Sequence, residues 1–201
     1  MAEYTRSFCS ACKTFDQPLA AAVQQGRCQP PAKMHRKDSR FFCTHMPHNT
    51  PPKSSTTKVK TSQFTPHGVV DLWMEGSLMH YQATGPFNTE LVDCLAIAQR
   101  DYLLATQPTG AWVSVCTVVG NAMSSPEGVA RYAEIMAAPK PANMIPVATA
   151  FVIHPDVEGG RIMAPLFAKV FADIGRPFKI FATMADAQTW AQAMLDEAGA
   201  K

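Results

Sequence analysis

No run in this chain stays apolar for the ~18 residues that a bilayer-spanning helix requires, because Gly, Pro or charge interrupts each one first. A transmembrane helix is therefore not expected. The N-terminal stretch Met1 to Ser10 lacks a basic start followed by an apolar core, so no secretory signal is expected and the reading is cytoplasmic. Charge is scarce too: charged residues make up 17% against hydrophobic residues at 47%, a balance that supports a packed core and excludes disorder throughout. Catalytic signatures are also missing. There is no Gly-x-Ser-x-Gly elbow, no Gly-x-Gly-x-x-Gly turn and no phosphate-binding P-loop, and no cofactor is expected.

What is present falls into two unlike parts. Residues 1–64 carry ten Lys/Arg against three Asp/Glu, a balance of +7, while the remainder carries eight against thirteen, a balance of −5. Such asymmetry marks a tail attached to a domain. Pro, Ser, Thr and Lys crowd the first part without a helical or strand period, as in Met46-Pro47-His48-Asn49-Thr50-Pro51-Pro52, so residues 1–64 are expected to be a disordered basic tail. Cys9 and Cys12 form one Cys-x-x-Cys pair, with Cys28 and Cys43 following singly. Zinc ribbons offer two close pairs, and the second is missing, so an unstructured extension outweighs a structural zinc site. The excess of Lys and Arg would attract nucleic acid or an anionic surface. Phe41 and Phe42 are the only clustered aromatics of the tail, which leaves no stacking platform, and nucleic-acid binding is not expected.

Residues 65–201 read as one α/β domain. Val69 to Met74 and Leu78 to Thr84 alternate as a hairpin around Glu75-Gly76-Ser77. Asn88 is a helix cap, and Leu91, Leu95, Ala98 and Tyr102 repeat on one face. The run Ala111 to Val119 is nearly all apolar and β-branched, as strands covered on both faces are. Ser124-Ser125-Pro126-Glu127 opens a second helix, Val147 to Ile153 is a strand, and Met163, Leu166, Phe167, Val170, Phe171 and Ile174 make a third helical stripe. Phe178 to Phe181 and a helix capped by Thr183 complete the order ββαβαβαβα. Strands separated by single helices predict a single mixed, mostly parallel sheet with flanking helices.

Three stretches carry a resemblance to a known family: Ala83-Thr84-Gly85-Pro86-Phe87-Asn88-Thr89-Glu90, the strand Trp112 to Val119, and the ending Pro177 to Trp190 with its Phe181-Ala182-Thr183 step. From about Gly68 onward the pattern resembles the STAS superfamily, in particular its SpoIIAA-like branch of stand-alone bacterial proteins. The fold is also similar to CRAL-TRIO lipid-binding domains. The first resemblance implies a non-enzymatic module that binds a partner protein or a small ligand, and the second implies an apolar cavity holding a lipid. Phospho-switched relatives carry an Asp-Ser pair after the central strand. Here Gly120-Asn121-Ala122-Met123-Ser124-Ser125 has no Asp before its serines.

The candidate docking residues lie at the carboxyl ends of the strands, where open α/β sheets bind ligands. They are Asn121, Ser124, Ser125 and Glu127 after one strand and His154, Gly159, Gly160 and Arg161 after the next. Ser124 and Ser125 are also the candidate phosphorylation sites, although helix capping accounts for both. Gly159-Gly160-Arg161 reads as a turn, with an anion cradle as the alternative. His154 is the residue a hydrolase or transferase would use, a remote alternative to binding. Cys94 and Cys116 read as small core residues, and eight methionines across the domain suit either a plain core or an adaptable apolar cavity. The expected partner is a protein, a second copy of the chain included, or a small anionic or apolar ligand.

Overall fold

The computed structural model describes residues 53–60 and 64–200. It begins with a two-residue strand, β1 (Ser54–Ser55), and a 3-10 turn over Thr56–Lys58. β2 (Val69–Glu75) and β3 (Leu78–Thr84) form the hairpin that the alternation predicts, and α1 (Thr89–Thr106) starts at Asn88, whose side chain accepts from the Leu91 amide at 3.1 Å. β4 (Val113–Val119), α2 (Pro126–Ala137), β5 (Ala148–Ile153), α3 (Gly160–Asp173), β6 (Phe178–Phe181) and α4 (Met184–Gly199) follow. The six strands make one sheet in sequential order, antiparallel from β1 to β3 and parallel from β3 to β6.

Residues 53–60, grouped with the tail by their composition, add the outer edge of this sheet. Ser54 and Ser55 pair with Leu72 and Asp71, and the buried Thr56 hydroxyl accepts from the Val70 amide at 3.0 Å. One hydroxyl placed under a strand anchors a segment that has no apolar period of its own. The four cysteines Cys9, Cys12, Cys28 and Cys43, and the expectation of tail disorder up to residue 52, lie outside the described residues.

Side-chain alternation splits β4 between two layers. Val113 and Val115 pack with Ala148, Ala150 and Val152 of β5 against Ala187 and Ala191 of α4. Small alanines on both sides let that helix lie close on the sheet. On the other face Val118, Phe151 and Ile153 meet Met163, Phe167 and Phe171 of α3, while Leu72, Met79 and Tyr81 meet Leu91, Ala98 and Tyr102 of α1. Three helices thus share one face. Parallel register aligns Tyr81, Cys116 and Phe151 in one row across that face, with Ser114 and Thr149 adjacent in the neighbouring row. Among the described residues no helix is long and apolar enough to cross a membrane.

Candidate functional site

The two predicted loops meet. Asn121 bridges to Glu158, its side-chain amide donates to the Glu158 carboxylate at 2.9 Å, and the Ala122 amide donates to the Glu158 carbonyl at 2.8 Å. Asn121 also accepts from the Met123 amide at 2.7 Å, so both faces of its side chain are used in holding the loops together. Ser125 caps α2 by accepting from the Gly128 amide at 3.0 Å. Glu127 sits exposed in the same first turn, where a carboxylate favours the helix dipole.

His154 lies exposed, its Nδ1 3.2 Å from the Asp156 carboxylate, and it is bonded to neither Ser124 nor Ser125. Gly159 adopts φ 70° and packs against the Met123 side chain, where a Cβ would collide with the sulphur. Gly160 is buried; a Cβ there would stand 2.8 Å from an Ile153 methyl, and its amide already donates to the Val157 carbonyl. The two glycines serve close packing of the loops. Arg161 is exposed on the first turn of α3.

Beneath these loops lies a feature that the linear pattern does not display. A partly open chamber of about 100 Å³ runs along the sheet face covered by α1, α2 and α3. Ser124, Phe87 and Val118 line it at the carboxyl end of the strands; Tyr81, Cys116, Phe151, Tyr132 and Phe167 line its middle; Ser114, Thr149, Met144, Lys140 and Arg176 line it towards the amino end. The aromatic rings are mutually packed, with Tyr132 edge-on to Phe167 and Phe171 at 6.4 and 6.2 Å. Rings fixed by one another cannot collapse into the gap, so the void persists.

Burial dominates the chemistry of the wall. It pushes the Cys116 thiol up to about 12 and raises the Tyr81 and Tyr132 phenols as well, so all three keep their protons near neutrality. A thiol held protonated is a poor nucleophile. The two cations differ from the rest of the lining. Lys140 folds its ammonium back onto the Ile135 and Ala138 carbonyls at the C-terminus of α2. Arg176 follows a Schellman ending of α3, in which Gly175 donates to Ala172 and Arg176 to Phe171, each at 3.1 Å. Both directly precede a proline, Pro141 and Pro177, which restricts their backbones to extended conformations.

Compared with known proteins, the chain matches no family model, no curated protein and no solved structure. Sequence reasoning passed over Lys140 and Arg176 because isolated cations in Pro-flanked connections look like solvated loop residues. The available signal was their shared setting, a lone cation before proline at the exit of an amphipathic helix.

Proposed function

We propose that residues 65–201 form a non-enzymatic, STAS-like cytoplasmic binding module that holds a small apolar ligand in the chamber between the sheet and α1–α3. The observation that carries this reading is the chamber itself. Its volume is of the order of the ~150 Å³ apolar cavity that takes up benzene, and it is walled by interlocked aromatic and aliphatic side chains with a few polar groups. The element order supports the STAS-like reading, and the cavity supports the ligand-carrying role that the alternative resemblance to CRAL-TRIO domains implies over a closed docking core. Its protonated thiol and phenols support binding over turnover.

The test is calorimetric titration of benzene, a neutral apolar ligand of the size such a cavity takes up, into the full chain and into Ala83→Leu. Ala83 is buried on the chamber wall, so three added carbons enter the void. The expected result is saturable binding to the wild type, its loss in the variant, and an unchanged or higher melting temperature, since filling a real cavity does not strain the core. A wild type that does not bind, or a variant that binds equally well, would refute the reading.

Docking of a partner protein is the second reading, favoured by the continuity of the Asn121 and Glu158 loops into one edge. Its test is pull-down from a bacterial lysate with wild type and Arg161→Glu. A specific protein recovered by the first and lost with the second supports it, and identical recovery removes it.

A further inference from the structure

The chamber is electrically one-ended. Its carboxyl-end lining around Phe87 and Ser124 is neutral, whereas Lys140 and Arg176 both line the other end. Among the described residues neither cation meets a carboxylate: the ion pairs engage His80, Arg100, Arg131, His154 and Lys169 instead. Capping of α2 accounts for Lys140. It does not account for Arg176, whose side chain has, among the described residues, the Met136 sulphur at 3.8 Å as its one acceptor. A guanidinium carries five donors, and leaving them half-buried beside apolar groups is costly unless something accepts from them.

We propose, building on the apolar-ligand reading above, that the Lys140 and Arg176 end binds the head of an apolar monocarboxylate whose body lies against Tyr132, Phe151 and Phe167. The planar guanidinium fits a carboxylate with two parallel bonds, and the protonated Tyr132 phenol, which has no hydrogen-bond partner among the described residues, supplies a further donor. The helix ends select a single charge. α2 and α3 both direct their C-termini, with partial negative charge, towards this end, as the bonds of Lys140 and Arg176 to the last turns show. Two cations facing two such ends suit one negative charge better than the two of a phosphomonoester.

The test is calorimetric titration of the full chain with octanoate, 1-octanol and octyl phosphate, for the wild type, Arg176→Gln and Arg176→Lys. Octanoate is expected to bind the wild type about tenfold or more tighter than 1-octanol, the separation one charge-assisted contact provides. Arg176→Gln should erase that preference while leaving 1-octanol affinity within about twofold, which also shows that the variant is folded, and Arg176→Lys should restore part of it. Equal binding of octanoate and 1-octanol to the wild type overturns the head-group assignment and leaves the chamber reading standing. Octyl phosphate binding more tightly than octanoate overturns the single-charge assignment. Absence of binding by all three overturns the chamber reading and this inference together.

Discussion

The indole N–H of Trp112 donates to the Asn143 carbonyl at 3.0 Å, across the connection that carries Lys140. Trp112 is almost fully buried at the start of β4, and its own carbonyl accepts from Val147 at 2.9 Å, so the two bonds clamp both strands' amino ends to the intervening turn Ala142–Met144. Fixing this turn fixes one end of the chamber, because Met144 and Lys140 line it.

Trp112→Phe should therefore destabilise the domain by about 1–3 kcal/mol, from one lost hydrogen bond and the space left by the smaller ring. Chemical denaturation measures the loss. Hydrogen exchange should place its excess at residues 142–147, and an effect spread evenly over the sheet would count against a local clamp.

Ser125 and Ser124 are adjacent but not equivalent. Ser125 accepts from the Gly128 amide and is the cap of α2; Ser124 lines the chamber and makes a long bond, 3.4 Å, to the Ser125 carbonyl. Ser125→Ala should cost about 1 kcal/mol, Ser125→Asp only a few tenths because Asp caps as well, and Ser124→Ala less than Ser125→Ala. Melting curves of the three variants decide this, and equal losses for both alanine variants would contradict the assignment.

The order of strands and helices was legible because long periodic segments dominate it: the alternation of Val70, Leu72 and Met74, the β-branched run through Val115, and the stripe of Met163, Phe167 and Val170 all bury the faces they imply. The β1 edge was not legible. Its two residues are held by Thr56 and by pairing to β2, not by any pattern in the segment. Strand order alone set the loops after β4 and β5 side by side, and Asn121 does meet Glu158, but the chamber beneath them depends on how Tyr132, Phe167 and Phe171 interlock across two helices. No local spacing encodes that.

Cys116 offers a chemical readout of the chamber. Its thiol, raised to about 12 by burial, holds a negligible thiolate fraction at pH 8. Peptide-mapped alkylation with iodoacetamide should leave it unmodified in the folded protein and modify it in denaturant. Labelling in the native state as fast as in denaturant would mean that the chamber opens freely to solvent.

His80 should make stability depend on pH. It is buried beneath the Trp73 ring, stacked at 5.3 Å, and its Nε2 has no hydrogen-bond partner among the described residues. Burial lowers its pKa below the usual 6.5, and the exposed Glu75 carboxylate, 3.8 Å away, offsets this only in part. Lys53 places its ammonium over the Trp73 ring, 4.1 Å from the centroid, on the other member of the stack. The unfolded chain therefore binds a proton at a higher pH than the folded one, so the contribution is complete above 6.5 and is lost as pH falls towards the folded pKa. His80→Phe keeps the stack and removes the titration. Denaturation midpoints measured from pH 7.5 down to 5 should fall more steeply for wild type than for His80→Phe, and parallel curves would show that the imidazole titrates alike in both states.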